Sequence, residues 1–121
     1  MDLSMDMTLG KIIRLPCFLQ MQGQFVFSCG GDWLREKEGL TLLKLQQQNP
    51  TWFCEDVYFG LNRLMEISRV RDQYMFQLNS GAGLIYLPAE KKRSATFALL
   101  AAGGGYGAVC TLLESLPVAA N

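Results

Sequence analysis

The stretch TFALLAAGGGYGAVCTLLESLPVAAN, residues 96–121, decides the fold that the sequence predicts. Residues 96–101 form a short apolar run without charge, which is typical of a strand buried on both faces. A glycine-rich turn follows at residues 103–107, and residues 109–120 favour a helix that Pro117 would end or kink. Such an order of strand, glycine loop and helix brings backbone N–H groups close to negative charge.

Two catalytic or ligand-binding interpretations of the glycine loop are open. As an oxyanion loop, its N–H groups would stabilise the charge that develops on a carbonyl oxygen during acyl transfer. As a dinucleotide-binding loop, residues 103–108 satisfy G-x-G-x-x-A after a strand. That fingerprint also needs an acidic residue about 20 positions later, which would lie beyond residue 121. The oxyanion interpretation is therefore favoured.

Two further interpretations of the same region involve no catalysis. Residues 94–113 carry no charge, so their length meets the criterion for a single membrane span, about 20 residues. The strongly apolar side chains contribute only about −2 to −4 kcal/mol, and glycines oppose insertion, so a membrane span is disfavoured. The last interpretation is a structural turn without a site.

Before residue 96, the spacing of the apolar residues is first that of helices and then that of strands. Residues 41–48 predict a helix with Leu42, Leu43 and Leu45 on its apolar side, ended by Asn49-Pro50. Thr51 is a candidate cap for a second helix over residues 54–67, whose apolar face is Val57, Leu61, Leu64 and Met65. Adjacent Glu55 and Asp56 are read as solvated charges in its first turn rather than as an acid/base pair. Apolar and polar residues alternate over residues 73–78, which predicts a half-buried strand. A turn and a second strand over residues 84–87 follow, so the two strands predict a hairpin.

Composition excludes several classes of function. The 121 residues are 50% hydrophobic and 18% charged, and 11 basic residues balance 11 acidic ones, so no excess charge indicates nucleic-acid binding. The four cysteines form no close pair, and the chain has no histidine, so we expect no metal, no cofactor and free thiols. Asp2 and Asp6 stand where a secretion signal needs basic residues, which predicts a cytoplasmic protein.

The segment ALLAAGGGYGAVCTLLESLPVAAN, residues 98–121, resembles the oxyanion region of bacterial α/β-hydrolase esterase/lipase proteins related to acetyl (xylan) esterases. That family has a strand, then P-G-G-G-Y, a spacer and a helix carrying E-G-x-P-V-A. Residues 103–106 match the glycine triplet and tyrosine, and Glu114, Pro117, Val118 and Ala119 match the helix. The family's preceding strand, which ends in proline, is matched by residues 84–88.

The resemblance implies roles for the loop residues. Gly104 and Gly105 would be the backbone donors of the oxyanion hole, Gly103 would allow close approach, and Tyr106 would line the acyl pocket or anchor the helix. Ala102 departs from the family, which has Pro or His there, and Ser115-Leu116 replaces the Gly that usually follows the Glu. The sequence contains neither G-x-S-x-G nor histidine, so no catalytic nucleophile, acid or base is present.

These observations lead to one set of expectations. The fold class is α/β: residues 1–69 form a helical leader, and residues 70–121 form a truncated N-terminal part of an α/β-hydrolase sheet with hairpin, buried strand, glycine loop and helix. The function is that of an incomplete carboxylic-ester hydrolase, inactive alone, which would take a small ester substrate once a C-terminal half completes it. The alternative is a non-catalytic relic or small interaction domain. An unpaired strand edge would favour self-association.

Overall fold

A computed structural model describes residues 3–21, 27–28, 36–51, 54–77, 83–91, 94–101, 108–109 and 115–120. The helices in these ranges are α1 (Leu9–Ile13), a 3₁₀ helix (Pro16–Met21), α2 (Leu42–Gln48), α3 (Cys54–Val70) and α4 (Leu116–Ala120). The strands are β1 (Phe27–Ser28), β2 (Met75–Gln77), β3 (Gly83–Ile85) and β4 (Ala108–Val109). They form two separate antiparallel pairs, β1 with β4 and β2 with β3.

Helix α2 confirms the prediction for residues 41–48, with Thr41 as its N-cap. The Thr41 hydroxyl accepts a hydrogen bond of 3.1 Å from the Lys44 backbone N–H, which satisfies one of the free donors at the helix start. Asn49 forms the C-cap, as the Asn-Pro sequence predicts. Leu42 and Leu45 are fully buried, whereas Leu43 is 44% exposed. The assignment of Leu43 to the buried side was therefore wrong.

Helix α3 is the longest element, and it runs three residues past the predicted end at residue 67. All four residues of the predicted apolar face, Val57, Leu61, Leu64 and Met65, are buried. The first turn holds Glu55 and Asp56, and the last turn holds Arg69, so the charges complement the helix dipole at both ends.

One hydrophobic core surrounds α3. Its members come from the N-terminal segment, α2, α3 and α4: Leu3, Leu9, Ile12, Ile13, Leu15, Phe18, Leu42, Leu45, Cys54, Val57, Leu61, Leu64, Met65 and Leu116. From the hairpin, Tyr74, Met75, Ile85 and Leu87 pack against this core while staying partly exposed. Residues on both sides of position 70 thus contribute to the same cluster.

The N-terminal segment is joined to the start of α2 through the backbone. The Leu9 N–H donates to the Leu40 carbonyl at 2.8 Å, and the Gly10 N–H donates to the Glu38 carbonyl at 2.9 Å. The Arg14 guanidinium adds an ion pair of 2.8 Å with the Glu38 carboxylate. These backbone hydrogen bonds fix the position of α1 beside the residues that precede α2. Its apolar residues Leu9, Ile12 and Ile13 are buried in the core.

The β2–β3 hairpin confirms the predicted pairing of residues 73–78 with residues 84–87. Met75 lies opposite Ile85, Phe76 opposite Leu84, and Gln77 opposite Gly83. Each strand has three residues and is shorter than predicted. A hairpin is marginal by itself, and packing of one face on α3 and the N-terminal segment supplies the burial it needs.

The structure contradicts two local predictions. Residues 96–101 adopt neither helix nor strand and are exposed, so the strand buried on both faces is wrong. A strand of that kind needs a neighbour on each side, and no described strand pairs with this segment. The helix predicted from residue 109 is also wrong at its start, because Val109 pairs with Phe27 in a strand and the helix begins at Leu116. Pro117 occupies the first turn of α4, where the missing N–H costs nothing.

Helix α4 packs directly on α3 at Gly60. A Cβ at this glycine would lie 2.8 Å from Leu116 Cγ and 3.2 Å from the Leu116 carbonyl oxygen. Leu116 itself is buried. The absence of a side chain at Gly60 therefore makes room for Leu116.

We expect Gly60→Ala to lower the free energy of unfolding by about 1 kcal/mol. Alanine favours a helix over glycine by about 1 kcal/mol, but crowding a packed contact costs about 1–3 kcal/mol, and part of this clash is with backbone. Urea unfolding followed by circular dichroism measures the change. Gly39→Ala is the control, since nothing lies within 4 Å of a Cβ there. Stabilisation by Gly60→Ala would contradict the close contact.

A matched pair on α2 tests the position of the core. Leu45→Ala should lower the free energy of unfolding by about 2–5 kcal/mol, because it empties a fully buried site. Leu43→Ala removes a partly exposed side chain from the same helix and should cost under about 1 kcal/mol. Urea unfolding measures both changes. If the two variants lost the same free energy of unfolding, α2 would not bury the Leu45 side of the helix as the structure shows.

Candidate functional site

The predicted oxyanion residues Gly103, Gly104, Gly105 and Tyr106 lie outside the described residues. The structure describes the segments that flank them. Before the loop, residues 94–101 run exposed after the hairpin. After the loop, β4 pairs with β1, Val109 opposite Phe27 and Ala108 opposite Ser28.

The end of the segment that resembles the esterase helix is anchored on α3. Its first residue, Leu116, is buried against Gly60, while Val118 is exposed on the opposite side of α4. Because Gly60 has no side chain, it supplies the space that the Leu116 side chain fills.

Arginine side chains attach the hairpin and the segment after it to α3. One nitrogen of the Arg63 guanidinium lies 3.2 Å from the Glu66 carboxylate and 3.8 Å from that of Glu90. Its other nitrogen donates to the Pro88 carbonyl at 3.3 Å. Arg71, just after α3, lies over the Tyr86 ring at 5.4 Å from the ring centre. These contacts set where the chain leaves the hairpin on its way towards residues 94–101.

A second group of polar atoms lies around Tyr74. Its hydroxyl donates to the Cys17 carbonyl at 2.6 Å. Burial raises the pKa of Tyr74, the nearby Cys17 raises it further, and a hydrogen bond with Ser68 opposes the rise. Burial also raises the pKa of the Cys17 thiol, against smaller opposing effects of a backbone hydrogen bond and Arg69. A nucleophilic thiol needs the opposite shift, so the surroundings of Cys17 do not activate its thiol.

The cysteines have different surroundings in the described part of the chain. Cys54 is buried in the core and Cys17 is half-buried, and both are free thiols. Burial raises the pKa of the Cys54 thiol. Cys29 and Cys110 lie outside the described residues. Among the residues described, no three histidine, cysteine or acidic side chains come together in a way that could hold a metal ion.

The described residues contain no helix with the length and apolar character needed to cross a membrane. Residues 94–101, the first part of the span considered from the sequence, are not helical.

Sequence reasoning expected an unpaired strand edge here but missed that the large apolar side chains are exposed. Phe97 is 89% exposed, Leu99 is 76% exposed and Leu100 is 44% exposed. Hydrophobicity alone predicts burial for such a run and contains no information about which strands could cover it. A signal was available in the sequence, because only one hairpin is predicted near this run, and one hairpin cannot cover both faces of a strand.

Comparison of the chain with protein-family models, with curated proteins and with solved structures finds no match.

A pH titration tests the burial of the thiols. Because the folded-state pKa of Cys54 is raised above its ordinary value of 9.0, the folded state keeps the proton that the unfolded chain releases. The contribution to stability is complete below pH 9.0 and is lost as the pH rises towards the folded-state pKa. We expect the free energy of unfolding to fall as the pH rises above 9.0.

Cys54→Ala should make this fall shallower, by at most about 1.4 kcal/mol per pH unit. Leu43→Ala, which removes no titrating group, should leave the slope unchanged. A slope insensitive to Cys54→Ala would contradict the burial of this thiol.

Proposed function

We propose that this chain supplies the oxyanion loop of a carboxylic-ester hydrolase of the α/β-hydrolase type. The single observation that carries the proposal is the segment in which Gly103-Gly104-Gly105-Tyr106 is followed by Glu114 and by Pro117-Val118-Ala119. The pattern resembles the esterase family in both residue type and order. In the structure, the Pro-Val-Ala part of the pattern lies in α4.

The chemistry that the sequence contains decides which part of the hydrolysis this chain would perform. Backbone N–H groups of Gly104 and Gly105 would donate to the oxygen of the tetrahedral intermediate, where each such donor contributes about 10²–10³ in rate. Hydrolysis also needs a nucleophile activated by a base, for which imidazole is the usual group at neutral pH. The chain has no histidine. The nucleophile elbow, the acid and the histidine would therefore have to come from residues outside this sequence.

The proposal predicts complementation. The chain alone should not turn over a small chromogenic ester such as p-nitrophenyl acetate. Mixed with a polypeptide carrying the later strands, G-x-S-x-G, acid and histidine of an esterase from the resembled family, it should restore turnover. Gly104→Val and Gly105→Val should each lower kcat about 10²–10³-fold.

Gly39→Ala is the control for a glycine change away from the loop, since it lies in open space. Circular dichroism and urea unfolding establish that each variant is folded. Turnover unaffected by both valine variants, or no turnover with any complementing polypeptide, would remove the proposed oxyanion function.

A second candidate function is favoured by one specific observation. Phe97, Leu99 and Leu100 are three large apolar side chains exposed within four residues of chain, and a cluster of this kind is typical of an interaction site. In this case the chain is a small interaction domain and its glycine loop is a structural turn. Failure of complementation together with stable association through residues 96–101 would favour this second function.

A further inference from the structure

We draw no further inference here: the strongest candidate, the exposed apolar surface patch of Phe97, Leu99 and Leu100 in the segment that follows the hairpin, carries no proposal, because nothing in the structure shows what covers it.

Discussion

The buried face of α3 is the constraint on which the rest of the described structure depends. Val57, Leu61 and Leu64 are almost completely removed from solvent, and the N-terminal segment, α2 and α4 contribute to the core around them. No other described element is long enough to serve as such a centre, since α1 and α4 have five residues each and α2 has seven. Helices this short are unstable alone in water. Their stability must come from packing in the core around α3, and Gly60 makes room for Leu116 of α4 there.

How much the sequence could predict depends on how local the determining interactions are. Helices α2 and α3 follow from the spacing of their apolar residues, and α2 also from the Asn49-Pro50 stop, all within short segments of chain. The hairpin likewise follows from one alternating run and one apolar run separated by a short turn. Residues 96–101 and Val109 are different, because their states depend on partners far away in the sequence. Val109 pairs with Phe27, and nothing in the composition of either neighbourhood indicates that pairing.

The same distinction limits what could be predicted of the candidate site. The glycine triplet with its following tyrosine is a local motif, so a resemblance can be drawn from it directly. Its role depends on non-local groups, since an oxyanion hole functions only beside a nucleophile and a base. The sequence contains no histidine and no nucleophile elbow. Leu116 shows the same dependence on a distant neighbour, because Gly60 supplies the space that the leucine fills.

The exposed segment at residues 96–101 is the part of the described chain that the proposed hydrolase function would change most. In a completed hydrolase sheet, strands on both edges and helices on both faces would cover Phe97, Leu99 and Leu100. Since the stabilisation scales with the apolar area buried, at about 25 cal/mol per Å², covering these side chains would contribute to binding of the completing residues. The exposed side chains and the missing catalytic groups would then have one cause, because the same residues would supply both the cover and the chemistry.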